Sequence, residues 1–80
     1  MNNQKLKIAK EDLDKEYLYN GDVSYIDSEI VEIEQYCLVL KFRKLRTADL
    51  SYFIAYCLVN NWALSIIADK SIVKVIIEEH

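Results

Sequence analysis

The stretch TADLSYFIAYCLVNNWALSIIA, residues 47–68, decides the fold of this chain. Its first half holds eight apolar residues in a row, and either Thr47 or Asp49 ahead of them can cap a helix start. An Asn-Asn pair follows, and asparagine tolerates the left-handed conformation that ends helices. The remaining residues are typical of a strand with Trp62, Leu64 and Ile66 on one face. The stretch therefore predicts a helix over 47–60 and a strand over 62–68.

Two further strands flank this stretch. Residues 36–44 begin with an apolar run and end in alternation, which is typical of a strand covered more fully at one end. Residues 72–78 predict a strand with Val73, Val75 and Ile77 on one face, and a short polar turn at 69–71 makes the last two strands antiparallel. A crossover through the 47–60 helix makes the first two strands parallel. We therefore predict a strand–helix–strand–strand core.

The first 35 residues are less apolar than the rest. They hold 14 apolar side chains against 28 in residues 36–80, so the core is expected in the second part. Lys10 to Tyr19 reads as a short helix that an Asn-Gly pair ends. Short strands at 23–26 and 30–34 surround a polar turn, and a bulge or break near Gln35 reconciles their apolar parity with the next strand. The prediction is one α+β domain, with an acidic N-terminal part on an apolar core.

The side chains that most enzymes need are scarce. The single histidine is His80, the last residue, where fraying is the default, so no Cys–His or Ser–His pair of fixed geometry is expected. One glycine excludes a phosphate-binding glycine loop, and two cysteines with one histidine fall short of a four-ligand zinc site. We predict no enzymatic activity, cofactor or metal. A composite site at an oligomer interface is the remaining route to catalysis.

An uncharged segment of 19 residues, Leu50–Ala68, is close to the length that crosses a bilayer. Its middle carries Asn60 and Asn61, and amides at that depth are costly, so no membrane span is expected. Cys37 and Cys57 lie in apolar runs, which is typical of buried free thiols. A disulfide between them is the alternative. The N-terminus has no apolar core of signal-peptide length, so we expect a cytoplasmic protein.

Charge is segregated along the chain. Nine acidic residues and one basic residue lie from Glu11 to Glu34, whereas four basic residues follow the first core strand: Lys41, Arg43, Lys44 and Arg46. This basic cluster is a candidate for phosphate contacts with DNA or RNA. The alternative is a solvated strand end, or pairing with the acidic segment of the same chain or a neighbour. The net charge of −3 favours that alternative, so nucleic-acid binding is the second hypothesis.

The predicted helix is apolar on nearly all sides. One stripe at helical spacing is expected to face the sheet: Leu50, Phe53, Ile54, Cys57 and Leu58. The opposite side carries Tyr52, Tyr56 and Val59, and tyrosine suits interfaces because its ring buries while its hydroxyl stays satisfied. Either residues 6–19 of the same chain or another chain must cover that side.

Self-association or docking to a protein partner is therefore the leading hypothesis. If the last strand lies at the sheet edge, Lys74 gives it modest protection, and a continuous sheet across a homodimer is a specific form of this hypothesis. The richness in Ile, Lys, Asn and Tyr is typical of an AT-rich genome. It fits a small regulatory or inhibitory accessory protein of a virus or plasmid.

Overall fold

The structure, a computed structural model, describes residues 3–79, so His80 lies outside the described part of the chain. The described residues form two helices and a four-stranded antiparallel sheet, which confirms the predicted α+β class. The elements in chain order are α1 (Gln4–Tyr19), β1 (Tyr25–Glu32), β2 (Tyr36–Phe42), α2 (Thr47–Asn60), β3 (Trp62–Asp69) and β4 (Ile72–Glu79). The last four lie where the sequence predicts them, to within two residues at each end.

The strand order is β1-β2-β4-β3, which places β4 inside the sheet and leaves β1 and β3 at its edges. β2 and β3 each pair antiparallel with β4, so they run parallel to each other, as predicted, without being neighbours. A helix is about 10 Å wide whereas strands are about 4.8 Å apart, so a crossover through α2 leaves room for one strand. The tight turn after β3 places β4 in that gap.

The N-terminal part differs from its prediction. α1 begins at Gln4 rather than Lys10, because its buried stripe starts earlier than expected: Leu6, Ala9, Leu13 and Tyr17. The two short strands are one continuous strand, β1. The irregularity in its pairing lies between Tyr25 and Asp27, and Gln35 lies in the bend between β1 and β2.

The polar residues predicted as a turn lie within β1 because each has a partner there. Asp27 and Glu29 face the side of the sheet without helices, where the Lys41 ammonium lies 3.8 and 3.5 Å from their carboxylates. Ser28 faces the helices and donates a hydrogen bond of 2.7 Å to Asp14. The polar residues that resemble a turn in the sequence are thus part of a strand with charged neighbours.

Both ends of α2 follow from the local sequence. The helix begins at Thr47, and Asp49 provides the cap by accepting the backbone N–H of Arg46 at 2.9 Å. At the other end Asn61 has a φ of 57°, in the left-handed region, which confirms the predicted asparagine stop.

Both helices cover one face of the sheet, with α1 mainly on β1 and β2 and α2 on β3. The buried cluster between them is Leu6, Ala9, Leu13, Tyr17, Tyr25, Leu38, Leu40, Phe42, Phe53, Cys57, Val75 and Ile77. Cys37 and Val39 lie on the other face, so Cys37 and Cys57 are on opposite sides of the sheet and both are free. Neither α1 nor α2 is both long and apolar enough to cross a membrane.

Candidate interaction surface

α2 turns a different side to the core than its apolar pattern predicts. Phe53 and Cys57 are buried as expected, but Ile54 is 49% exposed and Leu58 is 76% exposed. The predicted buried stripe is therefore wrong at these two positions. Tyr56 is half-buried instead, and its ring lies 5.9 Å from that of Trp62.

The ring of Tyr17 on α1 explains why α2 turns this side to the core. Its ring stacks on Phe53 with centroids 5.8 Å apart and meets Tyr52 edge-on at 6.4 Å. Such aromatic pairs contribute about 0.5–1.5 kcal/mol beyond their buried area. α1 thus covers part of the tyrosine side from within the chain. Of the three α2 residues predicted for association, Tyr52 and Tyr56 take part in internal packing, and Val59 is 85% exposed.

The other side of α2 lies beside the free edge of β3. Ile54 and Leu58 are one helical turn apart on the side away from α1, and α2 packs on β3. Ile66 and Ile67 of β3 are 39% and 49% exposed and point to opposite faces of the sheet. We call these four side chains, with the free backbone edge of β3, the β3-edge surface.

The two edge strands differ in how they are protected. β1 carries Asp27, Glu29 and Glu32 and has an irregularity near its start, features that discourage pairing with another strand. β3 has no charged residue from Trp62 to Ala68, and its register with β4 is unbroken. An uncharged, regular edge strand is a template for the addition of another strand.

Lys74 lies on an inner strand of the sheet rather than on an edge strand. It is on β4, opposite Lys41 of β2 and Ile67 of β3, and its ammonium lies 3.5 Å from Asp69. β4 pairs on both sides, so the condition for the predicted role of Lys74, an edge position, is not met. The exposed edge of the C-terminal hairpin is β3 instead.

The residues of the basic cluster have different neighbours in the structure. Lys41 lies between two β1 carboxylates on the face without helices. Arg43 donates a hydrogen bond of 3.2 Å to the backbone carbonyl of Val23, and Lys44 is exposed. The four cations thus differ in their contacts within the chain.

Arg46 belongs to a hydrogen-bonded network at the start of α2. Its guanidinium lies 2.7 Å from Asp22 and 3.2 Å from Asp49, and the Tyr17 hydroxyl donates to Asp49 at 3.1 Å. Burial by itself raises the pKa of Asp49, but hydrogen bonds from Arg46 and Tyr17 outweigh it and lower that pKa below its usual value. This network ties α1 to α2 and engages Arg46 within the chain.

A second network ties α1 to β1. The Asp14 carboxylate accepts hydrogen bonds from the Tyr25 hydroxyl, from Ser28 at 2.7 Å and from Lys10 at 2.8 Å. Burial opposes ionisation of Asp14, yet these hydrogen bonds lower its pKa below the usual value. Its partners within the chain mark Asp14 as a structural carboxylate.

An open cleft of about 350 Å³ between α1 and α2 is lined by Lys5, Ile8, Ala9, Asp12, Tyr56, Asn60 and Trp62. Within residues 3–79 no group of three or more His, Cys, Asp or Glu side chains is placed to hold a metal ion. Burial raises the pKa of the Cys37 and Cys57 thiols, so neither is a ready nucleophile.

Comparison of the chain with protein-family models, curated proteins and solved structures gives no match. Its function therefore has to be inferred from its own surface chemistry. The sequence predicts association at the outer face of α2 or at the edge of the C-terminal hairpin, with the last strand as that edge. It does not identify β3 as the edge strand, although one signal for this is present. Residues 62–68 carry no charge, whereas the other strand of the hairpin carries Lys74 and Glu78.

Proposed function

We propose that the chain is a non-enzymatic protein-interaction module that binds a polypeptide at the β3-edge surface. The observation that carries this proposal is an uncharged edge strand beside exposed apolar side chains of α2. The unpaired backbone groups of such a strand can bond an added strand, and side chains beside it select the partner. This mode of binding suits a small regulatory or inhibitory accessory protein.

Exposed apolar side chains supply the affinity of this surface. Leu58 is 76% exposed, and Ile54 and Ile67 are each 49% exposed. Full burial of one side chain of this size contributes about 1.5–3 kcal/mol. Backbone pairing then fixes the orientation of the bound strand.

The tyrosine side of α2 has less to offer a partner. Tyr52 and Tyr56 already contact the rings of Tyr17, Phe53 and Trp62. Charged residues at both positions are expected to disturb this aromatic cluster and unfold the chain. Loss of binding in a Tyr52→Glu, Tyr56→Glu variant would therefore not locate the interface.

Nucleic-acid binding by the basic cluster has weaker support. Lys41 and Arg46 each lie within 4 Å of two carboxylates of the same chain. Fluorescence anisotropy with labelled duplex and single-stranded DNA and RNA at low salt tests this alternative. Binding that weakens steeply with added salt would support nucleic-acid binding as the function.

The compartment and the origin of the protein are proposed from its composition and from the state of its two cysteines. The free thiols of Cys37 and Cys57 support a reducing compartment such as the cytoplasm. A viral or plasmid origin stays a prediction.

Site-specific photo-crosslinking tests the proposed surface. A benzophenone side chain at Leu58 is expected to form adducts with a polypeptide in expressing cells. The matched control is Leu18 on α1, which is 66% exposed and lies away from β3. If position 58 gives no polypeptide adduct above the level at position 18, binding at the β3-edge surface is excluded.

A further inference from the structure

We infer that the occupant of the β3-edge surface is a second copy of this chain, bound by antiparallel pairing of the two β3 strands about a two-fold axis. This inference rests on the proposed function and names its partner. Because β3 is an edge strand, the pairing joins two four-stranded sheets into one sheet of eight strands. The axis is perpendicular to that sheet, so the helices of both copies lie on the same face.

The hairpin determines which backbone groups of β3 point outward. A two-residue turn closes with a hydrogen-bonded pair, here Asp69 and Ile72, so every second residue back from Asp69 bonds to β4. The residues between them point their N–H and C=O groups away from the sheet: Trp62, Leu64, Ile66 and Ala68. These positions are the ones to which a second strand can bond.

One register of the two β3 strands satisfies all of these positions. When Ser65 lies on the two-fold axis, Leu64 faces Ile66 of the second copy, and Trp62 faces Ala68. The overlap covers the whole uncharged stretch, so no like charges meet although each chain carries a net charge of −3. Self-pairing of β1 would instead bring acidic residues together, which disfavours the other edge.

The ends of β3 also fit this register. This register brings the turn after Asp69 near the end of α2 of the second copy, because α2 ends at Asn60 and β3 begins at Trp62. The last turn of α2 has no basic residue of its own, and a cation near the carbonyl end of a helix is stabilising. The exposed Lys70 of the second copy supplies that cation.

Disulfide trapping tests the register. Ser65→Cys places two thiols opposite each other at a non-hydrogen-bonded pair, where Cα atoms are about 4.5 Å apart, within the range of a disulfide. The native thiols do not interfere, because Cys37 and Cys57 are buried. Mild oxidation is expected to give a covalent dimer of Ser65→Cys. The control Leu18→Cys, at an exposed position of α1, should give at least about ten-fold less.

Light scattering during size exclusion measures association without a crosslink. The unsubstituted chain is expected at twice the chain mass of 9.4 kDa, and Ser65→Lys at the single mass, because two ammonium groups then meet on the axis. Leu18→Lys adds the same charge at an exposed position of α1, outside the interface, and should stay dimeric. A dimer that Ser65→Cys does not trap, or that Ser65→Lys does not dissociate, overturns the register.

The failure of this inference differs from the failure of the proposed function. A chain that stays monomeric at high micromolar concentration overturns the second-copy inference. If its Leu58 crosslinks to a foreign polypeptide, the proposed function survives. If Leu58 crosslinks to nothing, both are overturned.

Discussion

Replacing Asp49 with alanine removes the carboxylate on which the start of α2 depends. That carboxylate accepts the Arg46 backbone N–H at 2.9 Å, the Arg46 guanidinium at 3.2 Å and the Tyr17 hydroxyl at 3.1 Å. Asp49 is only 6% exposed, so water cannot easily replace it. We therefore expect Asp49→Ala to lower the free energy of unfolding.

The expected loss for Asp49→Ala is about 3 kcal/mol. A buried hydroxyl left without its acceptor, here that of Tyr17, costs about 1–3 kcal/mol. Loss of the cap on the Arg46 N–H costs about 1 kcal/mol more. The guanidinium is largely in water, so the lost ion pair adds little. A loss of this size is a large part of the total stability of a small domain, which is about 5–15 kcal/mol.

Urea unfolding followed by fluorescence measures this effect, at one protein concentration because association also stabilises the folded chain. Tyr17→Phe alone should cost about 1 kcal/mol. The double variant should lose at least about 2 kcal/mol less than the sum, because the cost of the orphaned hydroxyl is gone. The exposed Asp12 serves as control, and Asp12→Ala should change stability by less than about 0.5 kcal/mol. If the Asp49 and Tyr17 effects simply add, the two residues are not coupled and the reasoning is refuted.

Stability should fall in acid, because hydrogen bonds lower the folded-state pKa of Asp14 and Asp49 despite their burial. Their contribution is complete above about pH 5 and is lost as the pH falls towards the folded-state values, so equal urea midpoints at pH 6 and pH 3 would contradict it. Gly21→Ala should cost about 1 kcal/mol in the same assay, since Gly21 has a φ of 63° in open space, and Gly21→Asn should cost less. Cys37 and Cys57 should react with a thiol reagent only when the chain opens, because both are buried and burial raises their pKa. Rapid labelling of both thiols in native buffer would show that they are accessible.

The core elements could be predicted because their signals are local. The cap of α2 lies within its own first turn, and its stop is the adjacent Asn61. β1 could not be predicted in full, because Asp27 and Ser28 resemble a turn. Their partners Lys41 and Asp14 lie on other elements and become visible only when the chain has folded.

The proposed β3-edge surface could not be predicted because it depends on tertiary arrangement. Which side of α2 is exposed is set by Tyr17, whose ring occupies the place beside Phe53. Whether β3 or β4 forms the edge is set by the strand order. Both strands are largely apolar, so their sequences do not show which of them lies at the edge. Helical spacing alone therefore favoured Tyr52 and Tyr56 over Ile54 and Leu58.

The position of β4 between β2 and β3 has a consequence for how the chain folds. A nascent chain that lacks residues 72–79 holds a β1–β2 hairpin and an α2–β3 unit, with no strand to connect them. Each piece then offers an unpaired strand to neighbouring chains, which is the condition under which partly made sheets aggregate. The sheet closes in a single late step through contacts distant in sequence. Truncations within 72–79 should therefore yield insoluble protein rather than a smaller folded domain.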